Sequence, residues 1–399
     1  MKEVFLADYQ RSPFGKYGGW LSHIRPDDLA AAVIQSLLQR NPGLPPEAVD
    51  EVIFGCANQS GEDNRNVARF AVLLAGLPVT VPAYTVNRLC ASGMQSAINA
   101  FSQIQSGLAD VVIAGGVESM SRAPYVIPKP EKGFDRSLRM TDTTLGSRFY
   151  NPLLEDRYAP ISMGATAEHI ADRWHIGREA QDAFALETHR RYMEAWEKGI
   201  FREELTAIAG LAPHHNGLLR DEAPRADTSA EKLAALKPAF RKEGTVTAGN
   251  ASGLNDGASA LLIASAEAIQ RYGLKPVARI ISAAAAGVHP DIMGTGPIPA
   301  IQKLLRQTGL QIGDIDLFEI NEAYAVQVLC CMQELDIDAA KVNVNGGAVA
   351  IGHPLGASGN RVTGHLALEL KRRGARYGIA AMCVGVGQGT ALLLEHIPR

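Results

Sequence analysis

No stretch of this 399-residue chain holds the roughly 18 consecutive apolar residues that a membrane-spanning helix needs, which sets aside a helical anchor. There is no charge surplus either. Lys and Arg number 39 against 42 Asp and Glu, a net −3, so neither nucleic acid nor an anionic membrane surface has an electrostatic claim on it. Cysteine is scarce: five are present, an odd number with no C-x-x-C pair, which argues against both a disulfide framework and a zinc site. The opening residues Met1 to Asp8 read as a first strand and lack the layout of a signal peptide. These absences leave a cytoplasmic enzyme with free thiols as the expectation.

What is present is the composition of a soluble α/β protein, with 46% hydrophobic residues, 20% charged and 39 glycines. The length suggests about two or three domains. Val4–Asp8, Val52–Gly55, Tyr84–Asn87 and Val111–Ala114 read as strands, and helices are expected from Pro26, over Asn66–Leu74 and after Cys90. Such alternation implies parallel βαβ units, and continuously apolar strands imply a sheet covered on both faces. From about Glu118 to Gly249 the pattern breaks into a stretch carrying Pro124, Pro128, Pro130 and Pro152, one strong helix over Arg178–Lys198, and a polar run at His214–Gly217. An insertion of this size usually shapes a binding site rather than a core. Val246–Asn250 and Ala258–Ala264 return to strand-like sequence.

The second half repeats the order of the first. Strand Val277–Ser282, a helix from near Pro299, strand Ile315–Ile320, helix Glu322–Leu335 and strand Val342–Asn345 lead to helix Gly359–Arg373 and strands Ile379–Cys383 and Thr390–Leu394. Val86-Asn87 precedes Cys90-Ala91-Ser92-Gly93 as Val344-Asn345 precedes Gly356-Ala357-Ser358-Gly359, and Ser106-Gly107 and Arg373-Gly374 close the two helices. Two βαβαβαββ halves stacked back to back, with helices from each meeting in the middle, would bury both sets of apolar faces.

Catalytic groups in such sheets gather beyond the carboxyl ends of the strands, and four places qualify. Cys90 heads a helix marked by Met94, Ala97, Ile98, Phe101 and Ile104, where free N–H groups and the dipole favour a thiolate; a lone cysteine more often only packs. Gly346–Gly356 is a glycine-rich loop in which Pro354 stiffens the turn carrying His353. Met382–Gly389 lets Cys383 leave a strand into a turn of free N–H groups, and Ile320–Tyr324 sets Asn321 at a strand–helix junction. A structural histidine, a core cysteine and a helix N-cap asparagine are the ordinary readings of these residues. Their joint placement at symmetry-related strand ends weighs towards function.

The segments Val86–Met94, Thr247–Gly253, Asn321–Tyr324, Asn343–Gly359 and Cys383–Gly389 resemble the signature blocks of the thiolases, and the likeness runs from Val4 to Leu394. The resemblance implies a duplicated five-layer α-β-α-β-α fold. Residues 1–118 plus 250–272 and residues 273–399 would be its halves, and 119–249 an inserted loop domain that holds coenzyme A. It implies Cys90 as the acyl-carrying nucleophile, His353 as its base, and Cys383 as a second acid/base with a pKa near working pH. Asn321 would hold a water in an oxyanion hole, and the Gly385 N–H would be a further donor. Arg225 would meet the coenzyme A phosphates, Phe240, Ala248 and Ser252 would line the pantetheine, and Met163 belongs to the substrate loop. Coenzyme A is a substrate here, so no cofactor or metal is implied, and a homotetramer or dimer is.

The blocks Phe54–Arg69, Ser119–Val126 and Cys383–Gly387 look closest to the thiolases of aromatic degradation that act on 3-oxoadipyl-CoA. Ser162 stands where the acetoacetyl-CoA type carries a histidine, and Val386 replaces a glycine. Acetoacetyl-CoA and general fatty 3-ketoacyl-CoA remain as alternative substrates. A ketoacyl-synthase type of enzyme would carry histidines in place of Cys383 and Asn321. A non-catalytic lipid-binding relative would lack Cys90, His353 or Cys383, and all three are present.

Overall fold

The structure is a computed structural model that describes residues 1–134, 136–158, 160–208 and 220–397. The polar run His214–Gly217 lies outside the described residues. In the first half, strands Ala83–Val86, Glu51–Gly55, Val111–Ser119, Asn255–Ser265 and Val4–Arg11 lie side by side in that order. In the second half the order is Ala278–Gly287, Gln388–His396, Tyr377–Val384 and Leu317–Ile320. A short antiparallel pairing of Val4–Leu6 with Ala278–Ile280 joins the two half-sheets.

Successive residues of a strand point to opposite faces, so each strand here feeds two cores. Val111, Ile113 and Val117 pack with helices Pro26–Arg40 and Val67–Leu74, whereas Val112 and Ala114 pack with helices Ser92–Ser106 and Leu355–Arg373. The second half mirrors this. Ala380, Met382, Leu392 and Leu394 face the same middle helices, and Ile379, Ala381, Ala391 and Leu393 face helices Pro297–Thr308 and Ala325–Leu335. Three apolar cores therefore sandwich two half-sheets, the expected α-β-α-β-α stack, and both faces of each strand read as hydrophobic for that reason.

The repeated Ala-Ser-Gly motifs mark where the two middle helices touch. A Cβ on Gly93 would lie 2.5 Å from the Gly356 carbonyl oxygen, and one on Gly359 only 2.0 Å from the Met94 nitrogen. Glycine is required at both because no side-chain atom fits. Counterparts keep a constant offset through this region, pairing Asn87 with His353 rather than with the Asn345 of the expected Val-Asn repeat, Cys90 with Gly356 and Glu118 with Val384. Strand register agrees, since Phe54 pairs with Gly115 as Ile320 pairs with Ala381.

Two expected strands are absent. Val342–Asn345 reduces to a single parallel bridge between Phe318 and Val342. Asn343 has a φ of 44°, and its side chain replaces the ladder by accepting the Ile320 N–H at 2.9 Å and donating to the Ile320 oxygen at 2.8 Å. Val246–Asn250 is a turn closed by the Thr247 N–H donating to Asn250 Oδ1 at 2.8 Å. Helix ends also move: the expected starts at Pro299, Glu322 and Gly359 become Pro297, Ala325 and Leu355.

The insertion contributes helices Met163–Trp174 and Arg178–Glu197. It is bound to the scaffold by charge. Arg11, with no exposed surface, donates to Asp221 at 2.6 and 2.9 Å and to Glu204 at 2.7 Å. Glu204 also holds His365 Nδ1 at 2.8 Å, which extends the tie to the middle helix of the second half.

Candidate active site

Cys90 is not the first residue of its helix. It sits in a 3-10 turn, Leu89–Ala91, that precedes Ser92–Ser106. Leu89 takes a φ of 46°, an uncommon conformation for a side-chain-bearing residue. Three bonds hold it there: the Leu89 N–H donates to Asn87 Oδ1 at 2.8 Å, the Arg88 N–H to Ser92 Oγ at 2.9 Å, and Ser92 Oγ to the Leu89 oxygen at 2.7 Å. The turn presents a partly exposed sulfur. Burial pushes the Cys90 thiol up, and the N–H groups of Gly385 and Cys90 itself pull it down by less. The easily ionised helix-terminal thiol expected from sequence is thus corrected: enclosure outweighs the N–H groups, and the resting sulfur is protonated.

A protonated nucleophile needs a base, and His353 has the form of one. Its ring is buried and its pKa is lowered to about 3, by burial first and by the Arg361 charge second, so it is neutral. Ser358 Oγ gives its proton to the Pro354 oxygen at 2.9 Å and lies 2.6 Å from His353 Nδ1. That oxygen must therefore accept from Nδ1–H, which leaves the lone pair on Nε2. Nε2 faces Asn321 Nδ2 at 3.4 Å. The His353 backbone N–H donates to Asn255 Oδ1 at 2.9 Å, which fixes the turn.

Asn321 is fully buried, its N–H bonded to the Ala381 oxygen at 2.9 Å, and its Oδ1 has no hydrogen-bond partner among the described residues. A buried amide oxygen left without a partner is where a water or substrate group belongs. Cys383 ends the strand Tyr377–Val384 and packs with Met293, Ala323, Met163 and Tyr324. Its thiol is pushed well above the ordinary value, by burial first and by Cys90 second. A pKa near working pH was the expectation for Cys383; the apolar wall around it overturns that, and the resting group is an acid. Both sulfurs lie within electrostatic reach of the Tyr324 hydroxyl and raise it further, after burial.

The outer residues join this cluster unevenly. Ser252 donates through N–H and Oγ to the Ala323 oxygen at 3.0 and 3.1 Å. Phe240 meets the Tyr324 ring edge-on at 6.2 Å and covers Gly164, beside Met163. Ala248 is exposed on the same Thr247–Ser252 loop. Arg225 is exposed on the insertion, with no ion pair to its guanidinium among the described residues, and its N–H donates to His189 Nδ1 at 3.2 Å. No bond ties it to the sulfurs. Sequence reasoning assigned no role to Ser358, Asn255 or Tyr324; Ser358 carried a signal as part of the repeated motif and Tyr324 as part of the Asn321–Tyr324 block, and Asn255 carried none. No group of three metal-ligating side chains occurs among the described residues, and no described helix is long and apolar enough to cross a membrane.

Known proteins match this chain along nearly its whole length. Residues 4–267 match the thiolase N-terminal domain and residues 274–396 the thiolase C-terminal domain. The chain is 52% identical over 399 residues to a beta-ketoadipyl-CoA thiolase of Pseudomonas aeruginosa, covering 99% of this chain and 100% of that one. It is 50% identical over 403 residues to the 3-oxoadipyl-CoA/3-oxo-5,6-dehydrosuberyl-CoA thiolase of Escherichia coli K12, with both chains fully covered. Among solved structures, a Bacillus anthracis acetyl-CoA acetyltransferase superposes with a TM-score of 0.92 at 45% identity, over 100% of this chain and 99% of the other. Human mitochondrial 3-ketoacyl-CoA thiolase in complex with CoA gives 0.92 at 41%, over 100% and 98%. With both family domains matched across nearly its full length and close relatives covered end to end, this chain belongs to the thiolase family.

Proposed function

We propose that this thiolase cleaves 3-oxoadipyl-CoA with coenzyme A, giving acetyl-CoA and succinyl-CoA, or runs the reverse condensation. The observation that carries the acyl chain is the near-50% identity, over full length, to relatives bearing that substrate in their names. His353 Nε2 takes the Cys90 proton, and the thiolate attacks the 3-keto carbon. The C2–C3 bond breaks, its electron pair forms the acetyl-CoA enolate, and Cys383 protonates that carbon and becomes a thiolate. It then faces the imidazolium of His353, which offsets its charge. Incoming coenzyme A gives its thiol proton to Cys383 and attacks the acyl-Cys90 thioester, and the departing Cys90 sulfur recovers its proton from His353. N–H groups of Gly385 and Cys90 receive the oxyanion at the acyl carbon, and Asn321 with a water and His353 receives the enolate oxygen.

In this reading residues 119–249 form the coenzyme A-binding insertion between a first half of 1–118 plus 250–272 and a second of 273–399. Arg225 meets the phosphates, Phe240, Ala248 and Ser252 line the pantetheine arm, and Met163 borders the acyl chain. The protein works in the cytoplasm as a homodimer or homotetramer, without a cofactor. Support for assembly comes from the edge strand Ala83–Val86, paired on one side only, and the exposed Phe70, Leu73, Leu74 and Val79 near it.

Steady-state thiolysis of 3-oxoadipyl-CoA, acetoacetyl-CoA and a medium-chain 3-ketoacyl-CoA tests the substrate: 3-oxoadipyl-CoA should have the highest kcat/KM, and any other ranking sinks it. Mass spectrometry tests the roles. Cys383→Ala should still carry an acetyl group on Cys90 yet fail to condense, and an adduct on Cys90→Ser would refute the nucleophile.

A further inference from the structure

Glu118 is a buried carboxylate that the chemistry above leaves unused. It lies at the end of strand Val111–Ser119 and is 2% exposed. Its Oε2 accepts the N–H of Ala57 at 3.0 Å and of Gly356 at 2.9 Å. Its Oε1 accepts the N–H of Asn58 at 3.0 Å and lies 3.9 Å from the Cys56 thiol. Burial drives its pKa up to about 7 against the pull of those three N–H groups. A carboxylate is costly to enclose without a cation, and its enclosure here is met by three backbone N–H groups and the Cys56 thiol.

The donors come from both halves of the molecule. Asn87 Nδ2 donates to the Ala57 oxygen at 3.0 Å, and Asn87 Oδ1 holds the Leu89 N–H, so the Ala57–Asn58 segment frames the turn that presents Cys90. Gly356 belongs to the other half and follows His353 by one turn of chain. The duplication makes the arrangement intelligible. Gly356 is the counterpart of Cys90, and Val384, the counterpart of Glu118, precedes the Gly385 whose N–H reaches the Cys90 sulfur. The fold thus contains two pseudo-symmetric junctions between a strand end and a helix start. One holds the reacting sulfur. The other is closed by the Glu118 carboxylate.

We propose that Glu118 is a positioning residue for thiolysis: by gripping Ala57 and Asn58 with one half and Gly356 with the other, it sets the register of Cys90 against His353. It touches neither substrate nor reacting atoms. The inference rests on Cys90 and His353 being nucleophile and base, so the acyl adduct of the wild-type enzyme is mapped first; an adduct away from Cys90 would defeat that reading separately.

Glu118→Gln keeps the volume but turns an amino group towards the backbone N–H donors. A misplacement of this kind should lower kcat per active site, counted from the acyl-Cys90 burst, by about tenfold to a hundredfold. The KM for coenzyme A should stay within about twofold, because the pantetheine surface is untouched. The rate of Cys90 acetylation by acetyl-CoA should fall in step with kcat, and Glu118→Asp, which keeps the charge at shorter reach, should recover part of the loss. A role in stability alone would lower the thermal midpoint and the number of active sites while leaving kcat per site unchanged, and that result overturns the proposal. If Glu118→Gln does not fold, Glu118→Asp decides: wild-type kcat per site in that variant is equally fatal.

Discussion

At the residue scale the site is governed by proton ownership, and Ser358 decides it for His353. Its hydroxyl is committed to the Pro354 oxygen, which forces Nδ1 to be the donor and leaves Nε2 basic. Ser358→Ala should lower kcat about tenfold or more, with a flattened pH–rate profile, because the ring is no longer held in one tautomer; an unchanged kcat would refute this. His189 offers a clean pH test. Its folded pKa is lowered to about 4, first by burial and then by the Arg225 charge, against about 6.5 unfolded. The unfolded chain therefore binds the extra proton between those values, and the stability that neutral His189 permits is full above pH 6.5 and lost as pH falls towards 4. Urea unfolding at pH 7 and pH 5 should show a smaller loss for His189→Gln than for wild type, and equal losses would count against it. Val386 holds a φ of 62° with its side chain 49% exposed, strain that a β-branched residue rarely carries. Val386→Gly should leave the thermal midpoint unchanged or raise it, and should move the ratio of kcat/KM between 3-oxoadipyl-CoA and acetoacetyl-CoA.

At the element scale the middle helices meet through glycine, and two glycines of one helix pair separate contact from conformation. Gly359→Ala would drive a Cβ to 2.0 Å from the Met94 nitrogen and should cost about 3 kcal/mol or more. Gly107→Ala meets nothing within 4 Å but sits at a φ of 81°, so only backbone strain remains, about 1 kcal/mol. Denaturant unfolding of the two variants should keep that order. Elements with a clear pattern were legible in sequence: Val111–Ala114 and Ile379–Cys383 read as strands because both faces are apolar, and the stretch after Cys90 as a helix because of its three- and four-residue steps; the structure extends the strands to Val111–Ser119 and Tyr377–Val384. Val342–Asn345 misled because the Asn343 side chain does the work of a ladder, which apolar alternation does not reveal. The ionisation of Cys90 and Cys383 was misread for a different reason. A local helix end is visible in sequence, whereas the enclosure that outweighs it comes from residues as distant as Tyr324 and Met293. Glu118 stayed silent because its partners lie in both halves, and the repeated motif marked Ser358 without revealing its role, which depends on a turn whose shape no spacing encodes.

At the scale of the whole molecule, the insertion and scaffold form one electrostatic unit. Arg11 of the first strand pairs with Asp221 and Glu204 and donates to the Ser12 oxygen at 3.1 Å, and Tyr192 adds a bond to Asp221 at 3.1 Å. Arg11→Met leaves Asp221 without its cation and Glu204 with His365 alone, and should destabilise the fold by about 3–5 kcal/mol. Limited proteolysis of that variant should cut within 119–249 well before the scaffold, whereas the wild type should resist at both. Anyone transplanting this insertion onto a related scaffold to change acyl preference would have to carry Arg11 and His365 along with it. The buried acids of the insertion have their counter-ions on the scaffold, so changes made within it keep those pairs whereas exchange of the whole segment would strand charges.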